Sequence, residues 1–94
     1  MKIIWMDAAL SDLRSLRDYI AADNPSAAIK QVSRIVSAAR GLVKFPGIGR
    51  PGRCHGSREL VIGKTPYIVA YRLNGKIIEI LRVLHGRRRW PKSF

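Results

Sequence analysis

Hydrophobic and polar residues follow a helical period in the first half of the chain. Residues 2–6 are a short apolar run that predicts a strand, with Asp7 as the N-cap of the element that follows. Apolar residues at helical spacing then predict two helices, the first of which ends near Asp23. Asn24-Pro25 separates them, because Asn is a favourable N-cap and Pro suits the first helical position. So short a joint predicts that the two helices pack as an antiparallel hairpin.

In the second half, the period changes to the alternation of a β-hairpin. Two apolar runs flank Asn74 and Gly75, and Asn-Gly supplies the two positive φ angles of a type I′ turn. With these two residues as the turn, counting outward pairs Ile68 with Leu81 and places His85 on the same face as Ile68. Both strands are too apolar to leave one face in water, so we expect each face to be covered.

The hairpin is the longest element of a predicted β-α-α-β-β-β order. The second helix stops before Pro46, residues 45–57 form a loop with four Gly and two Pro, and residues 58–62 are typical of a strand. We therefore expect a single domain, residues 1–94, of the α+β class. Its helical hairpin should pack on a small, largely antiparallel sheet.

Three glycines in the loop spell a G-x-G-x-x-G motif, which in other contexts binds a dinucleotide. They are Gly47, Gly49 and Gly52. A dinucleotide site needs a strand before the motif and a helix after it, so that the helix N-terminus faces the pyrophosphate. Here the motif follows a helix and contains Pro51. We expect rigid turns and no cofactor.

Cysteine and histidine are too scarce for a closed metal site. Cys54, His55 and His85 are the only such residues, whereas a structural zinc needs four ligands, so we expect no metal. A lone cysteine also excludes an internal disulfide and suits a reducing compartment. No apolar run is long enough for a signal peptide or a membrane span. We expect a cytoplasmic protein with no membrane partner.

Net charge is the unusual feature of the composition. Eighteen Lys and Arg against six Asp and Glu give +12, and residues 50–94, with eleven basic and two acidic side chains, carry +9 of it. Such an imbalance predicts a polyanionic partner or an acidic protein partner. The candidate target-binding residues are the basic and stacking groups of this half: Arg50, Arg53, Arg58, Arg82, Arg87, Arg88, Arg89 and Trp90.

His85 is the best candidate for proton transfer. It titrates near neutrality, ends a strand and stands just before a run of arginines. A strand-end histidine that hydrogen-bonds backbone is the competing interpretation. Arg72 and Glu79 lie diagonally across the predicted hairpin, so we expect an ion pair there rather than a catalytic Glu79.

Four segments carry a resemblance to a known family: DAALSDLRSLRDYI, FPGIGRPG, RELVI and YIVAYRLNGKIIEILRVLHGRRRW. Together they resemble the RelE/ParE superfamily of bacterial toxin–antitoxin toxins, over essentially the whole chain. The resemblance implies a microbial-ribonuclease-like fold, which agrees with the predicted order of elements. It also implies growth inhibition and a cognate antitoxin that wraps the toxin.

An apolar stripe is the expected binding site of this antitoxin. On the sheet face that we leave without helices, four residues would otherwise be exposed and prone to aggregation. They are Ile68, Ile77, Leu81 and Val83. We expect an antitoxin segment with apolar anchors and acidic flanks to cover them.

The molecular target divides the superfamily, and the fold does not decide it. One branch cleaves mRNA on the ribosome and typically has an arginine directly after the aromatic that opens the third strand; here Ile68 follows Tyr67. Another branch poisons DNA gyrase, and the FPGIGRP turn and LRVLH ending look more like this ParE side. We therefore favour a gyrase poison, with a RelE-type endonuclease that uses His85 as the alternative. A non-catalytic, basic nucleic-acid-binding module is a third interpretation.

Overall fold

Two helices pack on one face of a five-stranded mixed sheet in the computed structural model, which describes residues 1–94. The sheet order is β1-β5-β4-β3-β2, with β1 parallel to β5 and the other neighbours antiparallel. The predicted α+β class and the helical hairpin on a largely antiparallel sheet are confirmed. The elements are β1 Lys2–Trp5, α1 Asp7–Asp23, α2 Pro25–Gly41, β2 Arg50–Pro51, β3 Arg58–Val61, β4 Tyr67–Asn74 and β5 Ile77–His85. None of the helices is long and apolar enough to cross a membrane.

The helix boundaries follow the capping chemistry of the sequence at one joint and depart from it at the other. Asn24 caps α2 as predicted, since its side chain accepts a hydrogen bond from the Ala27 N–H at 3.1 Å. The prediction that Asp7 caps α1 is wrong, because Met6 occupies that position. The Met6 N–H is still bonded to the Ile80 carbonyl of β5, so the chain leaves the sheet and enters the helix without an intervening residue. Asp7 instead lies in the first turn of α1, where its negative charge interacts favourably with the positive end of the helix dipole.

The core lies between the two helices and the sheet. Its fully buried side chains come from both layers, and the largest of them is Tyr71. Ile35 of α2 and Leu42, just after that helix, belong to the same buried cluster as the strand residues Ile78 and Ile80. The apolar spacing that predicted the helices therefore corresponds to the face that covers the sheet.

The hairpin turn lies one residue further along the chain than predicted. Asn74 pairs with Ile77 as part of the ladder, so Gly75 and Lys76 form the turn. Gly75 has a φ of 61° and is the only turn residue with a positive value, which fits a type II′ turn. The predicted type I′ turn, with Asn74 and Gly75 as its two central residues, would have required a positive φ at Asn74 as well. The Lys76 carbonyl also accepts the Lys2 N–H at 3.0 Å, so this register joins the turn to β1.

A β-bulge at Leu81 changes which residues of β5 face the helices. Tyr71 pairs with Ile80 and Ala70 with Arg82, which leaves Leu81 as an extra residue. Because side chains alternate along a strand, one extra residue moves every later side chain of β5 to the face opposite the one that regular pairing would give. Val83, expected on the open face, is therefore buried in the core at 3% exposure.

The same bulge moves His85. It pairs with Tyr67, whereas Ile68 pairs with Leu84, so the prediction that Ile68 and His85 share a face is wrong. Arg72 and Glu79 form the expected ion pair, but as direct rather than diagonal partners.

The glycine-rich loop is closed over the hydroxyl of Tyr71. This hydroxyl donates to the Pro46 carbonyl at 2.7 Å and accepts the Gly49 N–H at 2.9 Å. A Cβ at Gly49 would lie 2.6 Å from the same oxygen, so only glycine permits the approach. Gly52 likewise approaches Ser57 too closely for a side chain, and the Gly52 N–H donates a hydrogen bond to the Ser57 carbonyl at 2.8 Å. The G-x-G-x-x-G spacing thus serves close packing of the loop, and residues 50–51 of this predicted loop form the short strand β2.

We expect Tyr71→Phe to lower the free energy of unfolding by about 1–3 kcal/mol, because the Gly49 N–H and the Pro46 carbonyl lose their buried partner. Urea denaturation of the purified protein would measure this. Tyr19→Phe is the matched control, since Tyr19 is 71% exposed, and it should change stability by less than about 0.5 kcal/mol. Equal midpoints for the two variants would contradict the role assigned to the Tyr71 hydroxyl.

Candidate functional site

The candidate site lies at the end of the hairpin opposite the turn, where β4 begins and β5 ends. Tyr67 and His85 are cross-strand partners there, with ring centroids 5.8 Å apart and planes at 80°. Each of these residues lines two clefts, one toward α1 and one toward the β3–β4 turn. The two rings therefore form the ridge between the clefts.

The first cleft, with a volume of about 360 Å³, lies between α1 and the end of β5. Tyr19 of α1 and the tail residues Arg88 and Arg89 line it, and the Arg88 guanidinium lies 5.9 Å from the Tyr19 ring centre. Burial raises the pKa of Tyr67, an effect that the positive charge of Arg88 partly opposes. Tyr67 is therefore a neutral phenol at pH 7.

The second cleft, of about 660 Å³, lies between the β3–β4 turn and the end of β5. Three cations line it, namely Arg50, Lys64 and Arg87, and none of its lining residues is acidic. Lys64 is a residue that the sequence analysis missed. It lies in the turn between β3 and β4, and no sequence signal placed that turn beside Arg87.

Asp12 connects α1 to the strand that carries His85. Its carboxylate accepts hydrogen bonds from Arg82 Nε at 2.7 Å, from Arg82 Nη2 at 3.0 Å and from the Val83 N–H at 2.9 Å. The hydrogen bonds from Arg82 to Asp12 raise the pKa of Arg82 above its usual value, although partial burial opposes the shift. Arg82, one of the expected target-binding residues, is thus paired within the protein.

The imidazole of His85 is engaged through its Nδ1 atom. Nδ1 accepts the Arg87 N–H at 3.1 Å, so the neutral ring carries its proton on Nε2. In this arrangement the ring offers a hydrogen-bond donor, and the lone pair that a general base needs is already in use. The carbonyl of His85 accepts the Trp90 Nε1–H at 3.1 Å, which turns the tail back toward the sheet.

Three of the expected target-binding arginines hold the β2–β3 region together. Arg50 and Arg53 both pair with Glu59, whose side chain is only 2% exposed, at 3.2 and 3.6 Å. Arg58 Nη1 donates to the Gly47 and Gly49 carbonyls at 3.2 and 2.8 Å. Glu59 also accepts the Arg53 N–H at 2.8 Å, and the sequence analysis missed this acidic anchor.

The expected stacking residue of the tail is used in the same region. The Arg53 guanidinium lies 3.9 Å from the centre of the Trp90 ring, a cation–π contact that joins the tail to the β2–β3 loop. Arg87, Arg88 and Arg89 make no ion pair. The run of three arginines is therefore the part of the predicted basic set that remains free to bind another molecule.

The expected antitoxin stripe is largely buried within the chain itself. Ile68 and Leu81 are 6% and 7% exposed, and Ile77 is half-buried. Leu81 lines a cleft together with Lys92–Phe94, and the Cys54 thiol lies 3.4 Å from the Lys92 carbonyl, so the tail lies beside this part of the sheet. With Val83 in the core, the stripe is not the continuous bare surface that we expected.

No group of three or more His, Cys, Asp or Glu is placed to hold a metal ion.

Comparison with known proteins gives a consistent result over nearly the full length. Residues 3–90 match the sequence model of the family described as ParE toxin of type II toxin-antitoxin system, parDE. The Y4kP protein of Sinorhizobium fredii is 42% identical over 97% of this chain and 94% of its own. Toxin RelE2 of Caulobacter vibrioides is 34% identical over 93% of this chain and 97% of its own. Toxin ParE3 of the same organism is 35% identical over 79% and 74%.

A solved structure extends the likeness to three dimensions. It is described as the chromosomal ParDE TA system from P. aeruginosa. Its matching chain superposes with a TM-score of 0.79 at 35% identity, covering 88% of this chain and 92% of that one. The similar proteins carry both RelE and ParE names, so likeness alone does not identify a target.

Asp12→Asn should lower the free energy of unfolding by about 2 kcal/mol, because Arg82 loses its charged partner and the Val83 N–H loses part of its acceptor. The side chains of Asp12 and Arg82 are 16% and 27% exposed, so the effect should be smaller than for a fully buried pair. Chemical denaturation measures it, with Asp18→Asn as the control. Asp18 pairs with Arg17 on the surface at 70% exposure, and its loss should cost less than about 0.5 kcal/mol. A control variant as unstable as Asp12→Asn would refute the assignment.

Proposed function

This chain belongs to the ParE toxin family of type II toxin–antitoxin systems, and we propose that it arrests growth by poisoning DNA gyrase, with a cognate antitoxin that neutralises it. The observation that carries the choice of gyrase is the state of His85. Its Nδ1 lone pair is taken by the Arg87 N–H, so the best proton-transfer group of the chain is not presented as a base.

The surroundings of His85 support the same choice. Cleavage of RNA requires a base for the 2′-OH, an acid for the leaving oxygen and cations on the phosphate. Ile68 stands where the endonuclease branch typically has an arginine, and it is buried. Arg82 is paired with Asp12 and cannot serve as a free cation. The remaining cations suit a binding surface better than a catalytic site.

A gyrase poison performs no proton transfer of its own, and it needs only to bind the enzyme–DNA complex. Arg87, Arg88 and Arg89 are exposed, carry no ion pair and lie at the mouths of the two clefts. Cations so placed favour association with a polyanionic assembly and raise its rate. We assign target binding to this end of the hairpin.

The antitoxin should be acidic, because the toxin has a net charge of +12. Of the predicted stripe, Ile68 and Leu81 are buried, and Leu81 shares its cleft with the tail residue Phe94. An antitoxin segment can therefore contact Leu81 only if this part of the chain moves to expose it. The half-buried Ile77, near the turn, is the member of the stripe that is open without such a movement.

An mRNA endonuclease is the second candidate, favoured by one geometric feature. Tyr67 and His85 are in edge-to-face contact beside Arg88, and a phenol, an imidazole and a guanidinium are groups that a ribonuclease uses. For this activity His85 would have to release the Arg87 N–H before acting as a base.

Two assays on the same preparation separate the candidates. The purified toxin should accumulate gyrase-mediated breaks in supercoiled plasmid DNA and should leave mRNA intact on translating ribosomes. His85→Asn is the sharpest variant, since its amide oxygen can still accept the Arg87 N–H while its side chain cannot transfer a proton at neutral pH. Poisoning by this variant should stay within about tenfold of the parent, whereas removal of a general acid–base group typically costs 10²–10⁴-fold.

Variants of the tail arginines should show the large loss of poisoning that His85→Asn does not. Replacing Arg88 and Arg89 together by Gln should weaken poisoning more than His85→Asn does, and truncation after Gly86 should abolish it. Ribosome-dependent cuts by the parent, lost in a folded His85→Asn protein, would reverse our order of preference.

A further inference from the structure

Lys64 is held in a backbone conformation that does not favour a side chain. Its φ is 64°, and it is the only residue other than glycine with a positive value. The turn around it is well fixed, because Thr65 Oγ1 donates to the Ile62 carbonyl at 2.9 Å and accepts the Tyr67 N–H at 3.1 Å. Glycine adopts this region at lower cost, so the backbone alone does not explain a lysine here. Outliers of this kind point to a role of the side chain.

The turn that carries Lys64 is joined directly to the end of β5. The Gly86 N–H donates to the Pro66 carbonyl at 2.8 Å. A Cβ at Gly86 would lie 3.2 Å from Ile68 Cδ1 and 3.4 Å from the Pro66 carbonyl oxygen, so glycine allows the two segments to approach. Lys64 and Arg87 consequently both line the second cleft.

The charges in this cleft are not compensated within the protein. Neither Lys64 nor Arg87 forms an ion pair, and no acidic residue lines the cleft. Arg50, the third cation, shares its charge with Glu59. Two unpaired cations in one cleft that no carboxylate lines favour an anionic ligand.

From this arrangement we propose that Lys64 and Arg87 bind a phosphate of the DNA backbone. The identity of the nucleic acid rests on the proposed function, in which the toxin acts on a gyrase–DNA complex. Arg88 and Arg89 line the neighbouring cleft, beyond the Tyr67–His85 ridge, so cations lie on both sides of it. A sugar–phosphate backbone presents charges at regular intervals and spans both clefts, whereas a single carboxylate fills one. Contacts of this type position the protein without reading sequence.

The test measures binding of the purified full-length toxin to a short fluorescent DNA duplex at several salt concentrations, without gyrase. Lys64→Gln and Lys76→Gln remove the same charge from two exposed turn lysines, at opposite ends of the hairpin. Lys64→Gln should reduce the slope of log affinity against log salt by about 0.9, the value for one phosphate contact, and Lys76→Gln should leave it unchanged. Lys64→Gly should show the same loss in slope with an equal or higher melting temperature, because glycine relieves the backbone.

Parent-like slopes for both Lys64 variants would overturn the proposal, as would equal losses for Lys64→Gln and Lys76→Gln. An unchanged duplex slope combined with weaker binding of the antitoxin to Lys64→Gln would assign the cleft to an acidic protein segment instead. The gyrase cleavage assay on the same variants keeps the two proposals apart. If the parent fails to poison gyrase, the proposed function falls, while the duplex measurement still decides whether Lys64 contacts phosphate.

Discussion

The carboxylate of Asp12 holds the far end of β5 against α1, and the position of the candidate site depends on this contact. β1 pairs with β5 only as far as Ile80, so at Val83 there is no strand on that side of β5, and the Val83 N–H is bonded by Asp12 instead. Arg82 donates two further bonds to the same carboxylate. An unpaired N–H in a partly buried position is costly, so one acidic side chain of a helix completes the edge of the sheet.

The bulge at Leu81 and the Asp12 contact act together. The extra residue moves Val83 into the core, and Asp12 fixes the segment in that orientation. Two residues later the same alternation sets His85 beside Tyr67. A strand without the bulge would place His85 next to Ile68, away from Tyr67, and the two clefts would not share a ridge. The arrangement of the candidate site is thus a consequence of one irregular residue.

Scarcity of acidic residues determines which arginines are free. The chain has only six Asp and Glu side chains for its eighteen Lys and Arg. The acidic side chains near the sheet pair with arginines that help to hold the fold together, as Glu59 does with Arg50 and Arg53. Ion pairs of this kind join the loop and the strands but leave the end of the hairpin uncompensated. Arg87, Arg88, Arg89 and Lys64 remain there as unpaired charge on two adjoining clefts. The end of the hairpin therefore carries positive charge that pairs with no carboxylate of the chain, because the few acids near the sheet are used elsewhere.

The sequence alone predicted the two helices, four of the five strands, the Asn24 cap and the basic second half, since helical spacing, alternation, capping and charge are local properties of the chain. It also identified His85 and the arginine run as candidates. The tertiary structure alone decided the turn at Gly75 and Lys76 and the bulge at Leu81, because both depend on pairing with β1 and on Asp12, contacts between residues far apart in the chain. For the same reason only the fold could separate the arginines bound to carboxylates from those that remain free, and bring Lys64 and Arg87 to one cleft.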